Sequence, residues 1–107
     1  MKHLIVSYAI KPDLVEENAR LIRAVFDELN AQSPKGLRYA ALRDDNGRFV
    51  HIVEQADGAP GLEEHASFRA FQKSFGDRCS ARPEVRELAI IGAYAMMQDA
   101  AEYPAAG

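Results

Sequence analysis

His51 is the residue best suited to chemistry. It is a titratable imidazole inside the apolar run Phe49–Val53. A neutral ring there can take a proton from an acidic phenol or C–H group, and a hydrogen-bonded structural histidine is the competing reading. Asn18 is the one polar member of an otherwise apolar helical stripe, suited to orienting a ligand carbonyl or to capping a buried backbone group. Arg38 can pair with a ligand carboxylate or phenolate, or simply form a surface salt bridge. Tyr39, like Tyr8 and Tyr94, has a polar tip suited to a pocket rim or an interface. Phe68 and Phe71, with Phe75, recur at helical spacing as core or as the apolar wall of a ring-binding cavity.

Other chemistries have less support. His3, His51 and His65 lack metal-ligand spacing, so no metal is expected. His65 reads as solvated, near the start of a helix. Cys79 lies on the apolar face of that helix and reads as packing rather than as a nucleophile. Gly58 and Gly61 form no phosphate loop, and no cofactor is expected.

The elements that must position these residues follow from pattern. His3–Tyr8 reads as a strand with two apolar faces, ended by Lys11-Pro12. Asp13 and Glu16 have capping-box spacing, and a helix from Leu14 to about Asn30 carries Leu14, Val15, Asn18, Ile22, Val25, Phe26 and Leu29 on one side. Leu37–Arg43 and Arg48–Gln55 are strands around Asn46-Gly47. A two-residue turn there pairs Leu42 with His51 and Ala40 with Val53. Arg38, Ala40 and Leu42 then share a face with His51, and Tyr39 takes the opposite one; a three-residue loop would break this register. A second helix is expected from Leu62 to Ser80, broken by Arg82-Pro83, and a last strand over Glu87–Tyr94.

The order β-α-β-β-α-β predicts a ferredoxin-like α+β protomer, with a four-stranded antiparallel sheet, strand order 4-1-3-2, and both helices on one face. The other face is too apolar to stand in water, and a second copy is the simplest cover, so a homodimer is expected. The 107 residues suit one domain, residues 1–98, with a tail over 99–107. A net charge of −3, with no basic cluster, argues against nucleic-acid or membrane partners. One cysteine and no signal-like N-terminus fit the cytoplasm.

Several segments carry a family likeness: Val6-Ser7-Tyr8 before Lys11-Pro12, Glu17-Asn18, Gly36-Leu37-Arg38-Tyr39, Asp45-Asn46-Gly47-Arg48-Phe49 and Ala70-Phe71. In these the chain resembles the dimeric α/β-barrel superfamily, and within it the antibiotic-biosynthesis-monooxygenase-like family. The resemblance implies a dimeric barrel with a pocket between sheet and helices. It also implies cofactor-independent oxidation of aromatic, polyketide-like or quinol molecules, alongside haem-degrading and isomerase relatives. Quinol-oxidising members resemble one another in an Asn and a Trp on the third strand. Aligned from the hairpin, His51 and Gln55 stand at those positions, and the chain has no Trp. A non-catalytic ligand-binding dimer and an isomerase or cyclase using the same pocket are the alternatives.

Overall fold

The computed structural model describes residues 1–97. The expected tail over 99–107 lies outside the described residues. Strand β1 spans Lys2–Ala9, helix α1 Val15–Gln32, β2 Leu37–Arg43, β3 Arg48–Gln55, α2 Ala66–Gln72, α3 Phe75–Arg78 and β4 Glu84–Glu87. The strands form one antiparallel sheet in the order β2-β3-β1-β4, as the order of elements predicts. The helices pack on one face, where Tyr8, Ile10, Ala19, Ile22, Val25, Phe49, Phe71 and Cys79 form the core.

Helix α1 starts differently from expectation. A 3-10 turn over Pro12–Leu14 leads into it, and its N-cap, Leu14, makes no side-chain cap. The Asp13/Glu16 capping box therefore does not form, and Glu16 instead meets Arg43 at 3.0 Å. At the other end Ser33 adopts a left-handed conformation and its N–H closes on the Leu29 carbonyl at 2.7 Å, two residues past the expected stop.

The hairpin is a three-residue loop rather than a two-residue turn. The Asp44 carboxylate accepts from the N–H groups of Asn46 and Arg48, at 2.8 and 3.0 Å, and the Asp44 N–H donates to the Arg48 carbonyl. Gly47 supplies the positive φ (+84°) such a loop requires. The pairs become Ala41–His51 and Tyr39–Val53. A slip of one residue turns every β2 side chain over, so Tyr39 joins the His51 face, while Ala40 and Arg38 move to the outer one.

The second helical region is not continuous. A 3-10 turn at Leu62–Glu64 precedes α2, and the chain breaks at Lys73-Ser74, where Ser74 takes φ +61°, before α3. The final strand is Glu84–Glu87, not Glu87–Tyr94. Its Val85 pairs with Val6 on β1, and all four of its residues are exposed. Beyond it the Leu88 N–H donates to the His3 carbonyl, and Ile91 and Tyr94 are almost wholly exposed. These apolar residues do not continue β4.

Candidate functional site

Alternation along β1 and β3 sends Val6, Tyr8, Phe49, His51 and Val53 toward the helices. His51 is only 3% exposed. Its Nε2 lies 2.6 Å from Tyr8 Oη, and its Nδ1 lies 2.5 Å from Tyr39 Oη. Tyr8 is held by rings on two sides: it stacks on Phe49 with centroids 5.4 Å apart and meets the edge of Phe75 at 4.7 Å. Tyr39 stacks on Phe26 at 4.9 Å.

The chain of polar groups extends behind Tyr8. Asn18, with no solvent exposure, donates from Nδ2 to Tyr8 Oη at 3.1 Å. Its Oδ1 accepts from Arg78 Nε at 3.0 Å. Arg78 is 6% exposed. It also donates to the carbonyls of Phe71, at 2.6 Å, and Lys73, at 3.0 Å, so it ties off the break between α2 and α3. Its guanidinium lies over the Phe71 and Phe75 rings at 5.2 and 5.7 Å, a cation–π arrangement shielded from water. Five groups from five elements thus make one buried polar line through an apolar core, with each hydrogen bond strengthened by the low local dielectric.

Burial sets the protonation states. It pushes the His51 pKa down from 6.5 to about 4, so the ring is neutral at pH 7. It pushes both the Tyr8 and Tyr39 phenols well up, with the Asn18 hydrogen bond partly opposing the rise at Tyr8. Burial also raises the Cys79 thiol, which keeps it protonated.

Beside this line lies a cavity of about 320 Å³ between the sheet and α2. Val6, Tyr8, Tyr39, His51 and Val53 form its floor, and Leu62, Phe68, Phe71, Gln72 and Phe75 its roof. Pro83 and Val85 close the β4 side. Its lining is mostly apolar with a few convergent polar atoms, as in small-molecule sites. A wider depression of about 750 Å³, beside Pro12, Glu16, Arg43 and the hairpin loop, holds charged side chains that meet solvent and no buried titratable group.

Phe68, Phe71, Tyr39 and His51 therefore meet at one cavity. Asn18 does not line it: both ends of its amide are engaged, and it acts through Tyr8. Arg38 lies on the outer face, its Nε 2.9 Å from the buried Glu54 carboxylate. The expectation that it meets a ligand in this cavity is corrected by the hairpin register. Gln55 donates to the Ala59 carbonyl at 2.7 Å and is not in the lining. His65 is buried rather than solvated, with Nδ1 3.2 Å from Glu28. The same carboxylate takes the Ser67 N–H and hydroxyl, at 2.8 and 2.5 Å, and so anchors the start of α2 to α1. Arg78 escaped sequence reasoning, although it stands seven residues after Phe71 and three after Phe75, on their own stripe.

Solved structures align with this architecture over most of the chain. One named as an antibiotic biosynthesis monooxygenase matches with a TM-score of 0.67 at 20% identity, covering 86% of this chain and 100% of its own. The chain has the antibiotic-biosynthesis-monooxygenase-like fold. Rv0793 from Mycobacterium tuberculosis matches with a TM-score of 0.70 at 17% identity, over 88% of this chain and 98% of that one. PA3566 from Pseudomonas aeruginosa matches at 0.68 and 20%, over 85% and 94%. No family model matches the chain, and no curated protein matches it by sequence. At these identities the likeness establishes the fold, which hosts more than one function.

Proposed function

We propose that the protein binds a small electron-rich aromatic molecule in the cavity under α2 and oxidises it with O₂, without a resident cofactor, as a homodimer. The observation that carries this reading is the Tyr8–His51–Tyr39 line, buried against an apolar space of about 320 Å³. The name of the first structural neighbour supports the reaction class.

In such a reaction a phenol with a free ring position and O₂ give a quinone and water. One oxygen atom enters the ring, and the other leaves as water with the hydrogens lost from the phenol. The protein's task is to hold the ring away from water and to manage the proton at its oxygen. Both nitrogens of His51 are already engaged, so Tyr39, held by His51, is the group that meets the ligand oxygen. A dry, preorganised line of dipoles stabilises charge on the ligand oxygen more than water-exposed groups do. The free, buried Cys79 suits a reducing compartment such as the cytoplasm.

The test is oxygen uptake with a panel of one- and two-ring phenols and hydroquinones. Uptake above the rate in buffer, with one labelled oxygen in the product, and its loss in Tyr39→Phe, is the expected result. Uptake equal to that in buffer for every compound overturns the oxygenase reading. Ligand-induced thermal stabilisation without turnover then points to a binding protein, and product formation without O₂ consumption to an isomerase or cyclase.

A further inference from the structure

The buried line has an internal direction, and it can be read from one end. Arg78 Nε can only donate, so the Asn18 atom facing it at 3.0 Å is the amide oxygen. The Asn18 NH₂ group must then face Tyr8, and Tyr8 Oη accepts from it at 3.1 Å. The Tyr8 proton needs an acceptor in turn, because this hydroxyl belongs to a residue only 3% exposed. The acceptor within reach is His51 Nε2, at 2.6 Å. Were Nε2 protonated, Tyr8 Oη would face two donors and its own proton would be stranded. A neutral imidazole carries one proton, so that proton is on Nδ1 and points at Tyr39 Oη, 2.5 Å away. Tyr39 therefore accepts from His51, and its own proton is left to be donated. Tyr39 is in the cavity lining.

We propose that this polarity, running Arg78, Asn18, Tyr8, His51, Tyr39, makes the cavity selective for a neutral one- or two-ring aromatic that offers an acceptor oxygen, such as a ketone or quinone carbonyl. A ligand offering only a hydroxyl proton is disfavoured. The proposal rests on the cavity assignment above and deepens it by naming the ligand class. The size limit follows from volume: a cavity of about 150 Å³ holds benzene, so about 320 Å³ holds one or two rings. Neutrality follows from the lining, which among the described residues contains no charged side chain. The preference for an acceptor follows from the cost of the reverse. To receive a proton from a ligand hydroxyl, Tyr39 must either leave its own proton without an acceptor or turn it toward His51 Nδ1, which moves the imidazole proton to Nε2 and strands the Tyr8 proton in the core. A hydroxyaromatic substrate then engages Tyr39 best as its keto tautomer. Arg78 and Asn18 are positioning residues in this scheme, since they touch no ligand and set the direction for those that do.

Two measurements test it. The first is titration calorimetry at pH 7 with 1-tetralone, its phenolic counterpart 5,6,7,8-tetrahydro-1-naphthol, and the oxygen-free tetralin. One well-made hydrogen bond predicts about tenfold tighter binding of the ketone than of tetralin. The phenol should gain markedly less than the ketone. Tyr39→Phe should erase the difference between the ketone and tetralin. Equal affinities for ketone and tetralin, or a preference for the phenol, overturn the ligand selection but leave the cavity assignment standing. Binding of none of the three overturns the cavity assignment and the selection together. The second measurement is nitrogen NMR of the His51 ring in the labelled wild-type protein at pH 7. A protonated Nδ1 and a bare Nε2 are expected, and a protonated Nε2 overturns the polarity whatever the ligands do.

Discussion

Tyr8 Oη sits 2.6 Å from His51 Nε2, although the two residues are 43 positions apart in the chain. The pair exists because β1 and β3 are neighbours in the sheet and both side chains face the helices. Tyr8→Phe removes one hydroxyl and leaves two buried partners, Asn18 Nδ2 and His51 Nε2, unsatisfied. A loss of about 2–3 kcal/mol is expected, read as a lower urea midpoint at unchanged slope. A midpoint equal to wild type would show that the line is not closed as described. Tyr39→Phe should cost less stability, because Tyr39 is only partly buried and borders a cavity where water can replace its hydroxyl.

Arg78, after the Lys73-Ser74 break, holds three acceptors: the Phe71 and Lys73 carbonyls before it and Asn18 Oδ1 on α1. Arg78→Met keeps apolar bulk but strands Asn18 Oδ1 and the Phe71 and Lys73 carbonyls. Hydrogen bonds to a charged donor contribute about 1.5–3 kcal/mol each, so a loss of about 3 kcal/mol or more is expected. Arg78→Lys should rescue little of it, because a single ammonium cannot reproduce the planar fork. Full rescue by lysine, in thermal or chemical denaturation, would reduce Arg78 to a point charge.

Stability should fall in mild acid through His51. Its folded pKa, about 4, is depressed below the unfolded value of 6.5. The contribution is therefore fully present above pH ~6.5 and is lost as pH falls from there through the folded pKa, on the order of 3 kcal/mol in all. The Glu28 carboxyl, lowered to about 2 chiefly by the Ser67 hydroxyl, loses its contribution only as pH falls from 4.5 toward 2, so the two windows separate. Denaturation series between pH 7.5 and 4.5 should slope steeply in wild type and less in His51→Gln. Parallel slopes would assign the acid sensitivity elsewhere.

Gly47 closes the loop that sets the β2 register. A Cβ there would meet Val15 Cγ2 at 3.2 Å and the Ile10 carbonyl oxygen at 3.3 Å, at φ +84°. Gly47→Ala should cost about 1–2 kcal/mol. Gly58 has a similar φ of +78° but open space around its Cβ direction, so Gly58→Ala should cost less. Equal losses would mean that backbone strain alone, not the packing of the loop on β1 and α1, decides the outcome.

The outer sheet face carries Ile5 and Ile52, part-buried beside a second cavity of about 250 Å³ whose walls include Leu88, Ile90 and Ile91. Exposed Leu42 lies on the same face. Apolar area left wet there forgoes about 25 cal/mol per Å². Sedimentation at micromolar concentration should give a dimer, and Ile52→Glu should shift it to monomer with an unchanged far-ultraviolet spectrum. A wild-type monomer would remove the second copy as the cover.

Much of the architecture was legible in the residues themselves. The apolar spacing of α1 and the β-branched runs of β1 and β3 place those elements, and their order leaves few topologies. His51 was legible as a titratable group in an apolar run, and Phe68 and Phe71 as a wall. Arg38 was misplaced because its face depends on one residue of loop length, which Asp44 decides by binding two N–H groups at once. The last strand was misplaced because apolar composition reports burial demand, whereas strand pairing is set by which residues come opposite β1.

The sequence by itself determined the order of elements, the sheet topology and the candidate groups, because periodicity and turn chemistry are local properties of the chain. Tertiary structure alone decided that Arg78, Asn18, Tyr8, His51 and Tyr39 form one directed line beside a cavity. Hydrogen-bond polarity depends on which donor meets which acceptor across five elements, and no local pattern carries that information.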